Sequence, residues 1–404
     1  MGAQAAGGKG KAACRMSFVK AQATILPDRP AAGTVRLAHT ADNHLRLSAS
    51  GSTVRGTDFL QAMLSGVEGA AARGAAAMIV AGDMINAPEN LPAVASQLQQ
   101  VHKLAAAKGL PVLAIQGNHD MAQPSWIEIC GAGRTPDVAP PSGLSLLENV
   151  TVDVRGLKVR GMPFMAADAL REQLSRTDIS WDVLTWHGSV QEFAKFPTEN
   201  SIKLEDFAVR SQAAVLLGDI HVCEYYVNPT AGIIGYSGAT ELCKRDEPLT
   251  HTVTLLDFVK TGGAWQCIGF ELIPVKHRPV VTLNVDREAD LEDALRVVRS
   301  KVLEHGPILV LATYNAKVEG VRAALYAAAG EHGIVRVESY TLSELGQQVD
   351  SRMVNGVIPD PATYLPQFVS MPDTLAVCNQ LVTCGADSAG NVLQQFVEAQ
   401  MSKP

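Results

Sequence analysis

Apolar runs alternate with amphipathic segments between about Thr34 and Ile129, and this pattern predicts the order strand–helix–strand–helix–strand. The runs TVRLAHT, AAMIVAG and PVLAIQG are the predicted strands, and the predicted helices end near Gly74 and at Gly109. Strands separated by helices of this length form βαβ units, which build a buried parallel sheet. Because ligands of such sheets bind beyond the carboxyl ends of the strands, we expect the chemistry there.

The apolar runs become shorter between about Leu144 and Phe270. LENVTVDV and LKVRGMPF predict a hairpin, and DVLTWHG and AAVLLGDIH each end in polar residues. The later runs IIGYSG, HTVTLLDF and WQCIGFELI indicate a second, more antiparallel sheet. Two sheets that pack face to face would gather the loops of one end around a single cleft.

The order strand–helix–strand–helix–strand recurs from about Pro279 to Leu342 and predicts a small α/β domain. A proline-rich stretch follows, and after Pro372 the pattern predicts two short amphipathic helices. These helices either pack on the core or form a docking element for a partner. The predicted division is a disordered leader (1–33), a two-sheet domain (34–275), an α/β domain (276–345), a linker (346–371) and a helical tail (372–404).

The composition limits the number of domains, the redox environment and the kinds of partner to be expected. The chain has 404 residues, of which 47% are hydrophobic, and this suffices for two or three domains of roughly 100–200 residues. The seven cysteines are scattered and form no C-x-x-C pair, which predicts a reducing, cytoplasmic environment without a disulfide framework. The formal net charge of −7 argues against a protein that binds nucleic acid by its own charge alone.

Five polar clusters follow apolar runs. Four of the clusters alone are commonly structural, as a turn, a helix cap or a satisfied strand-end histidine, whereas Gly117-Asn118-His119-Asp120 is rarer as a simple turn. Histidine, aspartate and asparagine at five strand ends together favour a two-metal phosphoesterase site. One carboxylate must bridge the two ions, and Asp83 is the candidate because it stands alone after a glycine at a strand end. The clusters are Asp42-Asn43-His44, Gly82-Asp83, Gly117-Asn118-His119-Asp120, His187-Gly188 and Gly218-Asp219-Ile220-His221.

The ordered set D-x-H, G-D, G-N-H-D, H-G and G-x-x-H resembles the calcineurin-like metallophosphoesterases. The stretches HTADNHLR, GDIH with a tyrosine-rich hairpin and IGYSGATEL, followed by a small α/β domain, resemble the SbcD-type nucleases of DNA double-strand-break repair. The resemblance covers about residues 34–342. It implies an α/β fold, namely a two-sheet metallophosphoesterase sandwich flanked by helices, with a small α/β capping, DNA-binding domain and a helical C-terminal tail for partner docking.

The resemblance also implies a ligand set for two divalent metal ions. His119 would act at the scissile phosphate as a general acid or as a charge, and Asp120 would orient its ring. Asp219 stands where the family usually has histidine, and a carboxylate there shifts the expected ions from Zn²⁺ to Mn²⁺ or Mg²⁺. The first ion would be held by Asp42, His44, Asp83 and His221, and the second by Asp83, Asn118, His187 and Asp219.

By resemblance, the protein is a two-metal DNA nuclease, with duplex exonuclease and single-strand endonuclease activity, in DNA repair or recombination. Its expected partners are DNA and an SbcC-like SMC/ABC ATPase, with a homodimer as a further possibility and no membrane. The alternatives are a small-molecule or cyclic-nucleotide phosphodiesterase of the same fold and a scaffold without activity. Arg46 and the pair Lys244-Arg245 are either solvated surface residues or contacts for DNA phosphates.

Overall fold

The computed structural model describes most of the chain up to Tyr340. The ranges that it describes are 18–49, 52–87, 91–122, 124–129, 131, 133–136, 140–194, 201–244, 247–330 and 333–340. The predicted linker and helical tail lie outside the described residues, as does Arg245. None of the described helices is long and apolar enough to cross a membrane.

Sixteen strands, six α-helices and one 3₁₀ helix make up the described part. The strands are β1 (Val19–Lys20), β2 (Thr34–Thr40), β3 (Ala77–Val80), β4 (Pro111–Ala114), β5 (Gly143–Leu146), β6 (Thr151–Val154), β7 (Leu157–Met162), β8 (Val183–His187), β9 (Ala214–Gly218), β10 (Glu224–Asn228), β11 (Gly232–Tyr236), β12 (Thr252–Thr261), β13 (Ala264–Pro274), β14 (Val280–Val285), β15 (Leu309–Asn315) and β16 (Ile334–Tyr340). The α-helices are α1 (Thr53–Ala72), α2 (Leu91–Ala107), α3 (Trp126–Ile129), α4 (Ala167–Ser175), α5 (Glu288–His305) and α6 (Val321–Ala329), and the 3₁₀ helix is Leu204–Val209.

Two sheets pack face to face and helices cover their outer faces, which confirms the predicted two-sheet α/β sandwich. The seven-stranded sheet has the order β1-β10-β11-β9-β8-β7-β6, and the six-stranded sheet has the order β13-β12-β2-β3-β4-β5. Ile79 and Leu113 of one sheet meet Val183 and Leu216 of the other in the central core. The opposite face of the six-stranded sheet packs on α1 and α2, and that of the seven-stranded sheet on α4 and the 3₁₀ helix.

The neighbours of β12 and β13 differ from the prediction. These two strands extend the six-stranded sheet instead of the second sheet, because β12 pairs antiparallel with β2, with Asp257 opposite Arg36. The second sheet is also less antiparallel than predicted, since its central strands β7, β8, β9 and β11 are parallel neighbours. An apolar strand that is buried on both faces carries no local signal of which sheet it joins.

The prediction of a disordered leader is wrong for residues 18–33. β1 pairs with β10, and the amide of Ala21 donates to the carbonyl of Tyr225 over 2.8 Å. Further along, the amide of Leu26 donates to the Glu271 carboxylate over 2.9 Å, and the Leu26 side chain is buried. This segment therefore adds an edge strand and covers part of the sandwich.

The strands and helices predicted between about Pro279 and Leu342 are present. β14, β15 and β16 form a three-stranded sheet in that order, accompanied by α5 and α6. The chain divides into two compact units: one holds residues up to Asn284 with 289–312 and 320–337, and the other holds 285–288, 313–319 and the residues from 338 onward. In the second unit, Asn315 accepts hydrogen bonds from the amides of Lys317 and Val318 and forms a turn. The domain boundaries stay predictions.

Candidate metal centre

The carboxyl ends of five strands meet at one edge of the sandwich. The first three polar clusters follow β2, β3 and β4, which lie side by side in the six-stranded sheet. The last two lie at the ends of β8 and β9, which are neighbours in the seven-stranded sheet. The loops after β2 and β3 are joined by backbone hydrogen bonds, from Asp42 to Gly82 over 3.1 Å and from His44 to Asp83 over 2.9 Å. Parallel order thus brings distant stretches of the chain together, as the sequence pattern predicted.

The backbone at this edge is strained. Six described non-glycine residues have positive φ, and four of them are predicted ligands: Asp42 at 52°, His44 at 45°, Asp83 at 51° and Asp219 at 110°. Such conformations cost free energy and cluster at functional sites. The cost is offset only where the surrounding structure holds the turns in place, and here the joined loops do so.

Glycine is required where these turns approach one another. A Cβ on Gly117 would lie 2.1 Å from Asp83 Oδ1, and a Cβ on Gly82 would lie 2.4 Å from Nδ1 of His187. Gly82 also has a φ of +89°, which L side chains rarely adopt. The glycines of the G-D and G-N-H-D clusters therefore make room for the polar side chains that follow other strands.

Asp83 lies at the centre of the polar cluster. Its Oδ1 is 3.5 Å from His187 Nε2, while its Oδ2 is 3.8 Å from His44 Nε2 and 4.0 Å from His119 Nε2. Among the described residues, Asp83 belongs to two groups whose ligand atoms all lie within 4.8 Å of one another: Asp42, Asp83 and His187, and His44, Asp83 and His119. Each oxygen of this buried carboxylate thus faces a different set of side chains, as a bridging ligand requires.

His187 is held in the tautomer that a metal ligand needs. Its Nδ1 donates to the carbonyl of Ala81 over 2.8 Å, so its Nε2 carries the lone pair of the neutral ring. This Nε2 lies 3.0 Å from Oδ1 of Asn118. Burial would lower the pKa of His187, but the carboxylates of Asp42, Asp83 and Asp219 raise it overall. A positive charge between these oxygens is therefore favoured, and either a proton or a cation supplies it.

His44 and His221 face each other across the same centre. Their Nε2 atoms are 3.3 Å apart, and His221 Nε2 is 3.8 Å from Asp42 Oδ1. Two nitrogens bound at about 2.1 Å to one tetrahedral ion would lie roughly 3.4 Å apart, so the spacing fits a shared cation. Burial lowers the pKa of His44 to about 2, which keeps its ring neutral and able to bind metal. Burial also raises the pKa of Asp42 to about 6, against the charges of His187 and His221.

Glu247 holds His221 and was not found from the sequence. Its Oε1 accepts a hydrogen bond from His221 Nδ1, and its Oε2 accepts one from the amide of Cys243 over 2.7 Å. Burial would lower the pKa of His221, but hydrogen bonds with Cys243 and Glu247 and the charge of Asp42 raise it to about 11. A carboxylate behind a ligating histidine is a common feature of metal sites. Since Glu247 lies outside every polar cluster, no sequence signal singled it out.

Asp219 is the predicted ligand with the least support in the geometry. Its amide donates to both oxygens of Asp42 over 3.2 Å, which fixes the backbone of the loop. The Asp219 carboxylate is absent from the groups of metal-ligating side chains found among the described residues. Burial raises its pKa, with the charge of Asp83 adding to the effect and those of His187 and His221 opposing it. Its place as a ligand stays a prediction.

The predicted pairing of Asp120 with His119 is wrong. Nδ1 of His119 donates to the backbone carbonyl of Asn86 over 2.7 Å, so a different residue orients the ring. The buried Asp120 instead accepts hydrogen bonds from the amides of Gly117 and Met84, the latter over 2.8 Å. Its carboxylate thus ties the loop after β4 to the loop after β3. The sequence could not distinguish these two uses of an aspartate that directly follows the histidine.

Part of the chain is similar to known proteins. Residues 35–223 match the model of the family described as calcineurin-like phosphoesterase. The DNA double-strand break repair protein Mre11 of Methanosarcina acetivorans is 25% identical over 290 residues, which cover 67% of this chain and 43% of that protein. The match therefore spans less than half the length of this curated relative. The metallophosphoesterase family that the motifs predicted is thus confirmed for residues 35–223, and the chain is similar to a DNA double-strand break repair protein.

Proposed function

We propose, from the premise that residues 35–223 form a calcineurin-like phosphoesterase domain, that the protein is a two-metal-dependent nuclease that hydrolyses phosphodiester bonds in DNA. One observation carries the proposal: the Asp83 carboxylate lies between two sets of histidines, 3.5 Å from His187 on one oxygen and 3.8 Å from His44 on the other. A carboxylate in this position can bridge two divalent cations.

Eight contacts from seven side chains would hold the two ions. Asp42, His44, Asp83 and His221 would hold the first, and Asp83, Asn118, His187 and Asp219 would hold the second. Bound there, divalent cations would neutralise the charge of the phosphate and supply the Lewis acidity that hydrolysis needs. The oxygen-rich donor set favours Mn²⁺ or Mg²⁺. Three carboxylates in a mostly buried centre repel one another, and this supports the presence of cations.

His119 would work on the phosphate without holding an ion. Its side chain is 45% exposed, so a substrate can reach it. Its Nδ1–H is engaged by the Asn86 carbonyl, which leaves Nε2 as the atom that faces the centre. A protonated Nε2 can donate to the departing 3′ oxygen or stabilise the charge of the phosphate. Asn86 is thus a positioning residue that acts through its backbone.

Two observations favour DNA as the substrate: the similarity to the Mre11 protein, and the positively charged side chains of Arg46 and Lys244. The name of the Mre11 relative assigns that protein to DNA double-strand break repair. In this chain, Nε of Arg46 donates to the carbonyl of His44 over 2.9 Å, and its guanidinium lies 4.4 Å from the ring centre of Phe59. Arg46 is therefore held beside a proposed metal ligand, where a phosphate oxygen can meet it. Lys244 is exposed and can add a second contact.

The finer proposals come from the same resemblance. They are duplex exonuclease and single-strand endonuclease activity, a role in repair or recombination in the cytoplasm, a homodimer, and an SbcC-like ATPase as partner. The partner would contribute positive surface that this acidic chain lacks, since its net charge is −7.

Substrate choice tests the proposal. The full chain, stripped of metal and then supplied with Mn²⁺, is incubated with linear duplex DNA, single-stranded DNA or a chromogenic phosphodiester. Degradation of DNA that is absent in Asp83→Asn, but retained in the exposed control Asp168→Asn, is the expected result. Turnover of the small diester alone would replace the nuclease with a small-molecule phosphodiesterase. A protein that neither binds two ions nor turns over any of the substrates would be a scaffold without activity.

A further inference from the structure

Cys243 lies beside two of the proposed metal ligands. Its Sγ and one nitrogen each of His44 and His221 all lie within 4.8 Å of one another. The thiol is free, and no spacing motif in the sequence drew attention to it. His44 is almost fully buried, and its Nδ1 has no hydrogen-bond partner among the described residues. A thiol and two imidazoles therefore converge at one border of the carboxylate-rich centre.

The position of the thiol is fixed by the same carboxylate that holds His221. Glu247 accepts hydrogen bonds from the amide of Cys243 and from Nδ1 of His221, so one side chain links both residues. The Cys243 thiol itself donates to the carbonyl of Glu241 over 3.4 Å. These contacts hold Cys243 next to the imidazole of His221.

One sulfur and two imidazole nitrogens form a softer donor set than the carboxylate and amide oxygens of the remaining proposed ligands. Thiolate and imidazole favour Zn²⁺ and softer divalent ions, whereas carboxylate and amide oxygens favour Mn²⁺ and Mg²⁺. We propose that Cys243, His44 and His221 form a binding site for Zn²⁺ or another thiophilic divalent cation. The Cys243 thiol would give up its proton to solvent when the ion binds, and no redox step is involved.

The site would compete with the proposed catalytic ions. His44 and His221 are shared with the first ion of the nuclease proposal, so the centre cannot hold Zn²⁺ in this manner and that first ion together. An inhibitory effect of Zn²⁺ follows, and this consequence alone rests on the proposed function. A cavity of about 140 Å³ lies beside this site and is lined by Cys243, Arg46 and Lys244 among others.

Metal affinity and X-ray absorption test the site without any measurement of turnover. The full chain is stripped of metal and titrated separately with Zn²⁺ and Mn²⁺, as wild type, Cys243→Ser and the matched control Cys267→Ser. Cys267 is also a free thiol, and it contacts Gly269 instead of a histidine. We expect Cys243→Ser to weaken Zn²⁺ binding at least about tenfold and to leave the Mn²⁺ dissociation constant within about twofold of wild type. One sulfur should be present in the zinc shell of wild type and of Cys267→Ser, and missing in Cys243→Ser.

The site is refuted if the sulfur signal survives in Cys243→Ser, because another of the seven cysteines would then be its source. Equal weakening of Zn²⁺ and Mn²⁺ would also overturn it, since the substitution would then have disturbed His221 in general. Cys243→Ala serves as the second variant if the serine protein does not fold. A failure of DNA hydrolysis, in contrast, would affect only the nuclease proposal.

Discussion

Glu247 accepts a hydrogen bond from Nδ1 of His221, while Nε2 of the same ring lies 3.8 Å from Asp42 in the metal centre. A carboxylate in this position fixes the ring and its tautomer and strengthens the imidazole as a ligand. The segment after β11, which carries Glu247, therefore supports a proposed metal ligand although Glu247 belongs to none of the five polar clusters.

Replacement of Glu247 by alanine should weaken Mn²⁺ binding by about 10- to 100-fold, because His221 loses the partner that orients it. Glu247→Gln keeps one acceptor oxygen and should fall between wild type and alanine. Isothermal titration calorimetry measures the effect, with Glu224→Gln as control, since Glu224 pairs with Lys20 on the surface. An unchanged affinity in Glu247→Ala would show that His221 is held by other contacts.

His119→Gln should separate metal binding from catalysis. Loss of a general acid typically lowers turnover about 10²- to 10⁴-fold, while two bound ions should remain because His119 is not a proposed ligand. Metal analysis and the rate of DNA hydrolysis are measured on the same preparation. The exposed His305→Gln is the control. If the variant keeps the wild-type rate, His119 has no part in the mechanism.

The sequence predicted the residues of the centre because they belong to local clusters that follow strands. Asp83 could be assigned to one edge once the parallel order of β2, β3 and β4 was inferred from helices of the right length. His187 and His221 follow strands of the other sheet, and the expected face-to-face packing of two sheets brought them to the same cleft. Glu247 and Cys243 could not be assigned in this way, since both lie in an irregular segment where neither spacing nor periodicity distinguishes them from surface residues. The hydrogen-bond partner of His119 could not be predicted either, because it is the backbone carbonyl of Asn86, and every residue has such a group.

Strand partners were predictable only where the connection is short. β6 and β7 form the antiparallel hairpin expected from LENVTVDV and LKVRGMPF. β12 joins β2 over a separation of more than two hundred residues, and an apolar strand fits either sheet of a sandwich equally well by pattern. The position of Asp257 in β12 was the missed clue, since a buried aspartate needs a buried cationic partner.

His39 should make the stability of the metal-free protein depend on pH. Burial lowers the pKa of His39 to about 3, against an ordinary value of 6.5. As the pH falls from about 6.5 toward about 3, the unfolded chain takes up a proton that the folded chain does not, so stability decreases by up to about 1.4 kcal/mol per pH unit. Urea unfolding with a chelator present, between about pH 5 and pH 7, measures this slope.

His39→Gln should reduce that slope, although it also changes the 2.6 Å contact between His39 Nδ1 and the Tyr225 hydroxyl and so lowers stability at every pH. The slope, and not the absolute free energy of unfolding, is therefore the readout. His305→Gln should leave the slope as in wild type. A slope equal to wild type in His39→Gln would assign the pH dependence to other buried groups.

Arg36 and Asp257 tie β2 to β12 through two hydrogen bonds, from Nε to Oδ1 over 2.6 Å and from Nη2 to Oδ2 over 2.8 Å. Both side chains are buried, so Arg36→Met should cost about 3–5 kcal/mol by leaving an unpaired carboxylate in the core. Arg36→Met with Asp257→Leu should recover much of that loss, since no buried charge is then left alone. Urea unfolding of both single variants and the double variant gives the coupling. Simple additivity of the two single effects would mean that water or another cation satisfies Asp257 when Arg36 is absent.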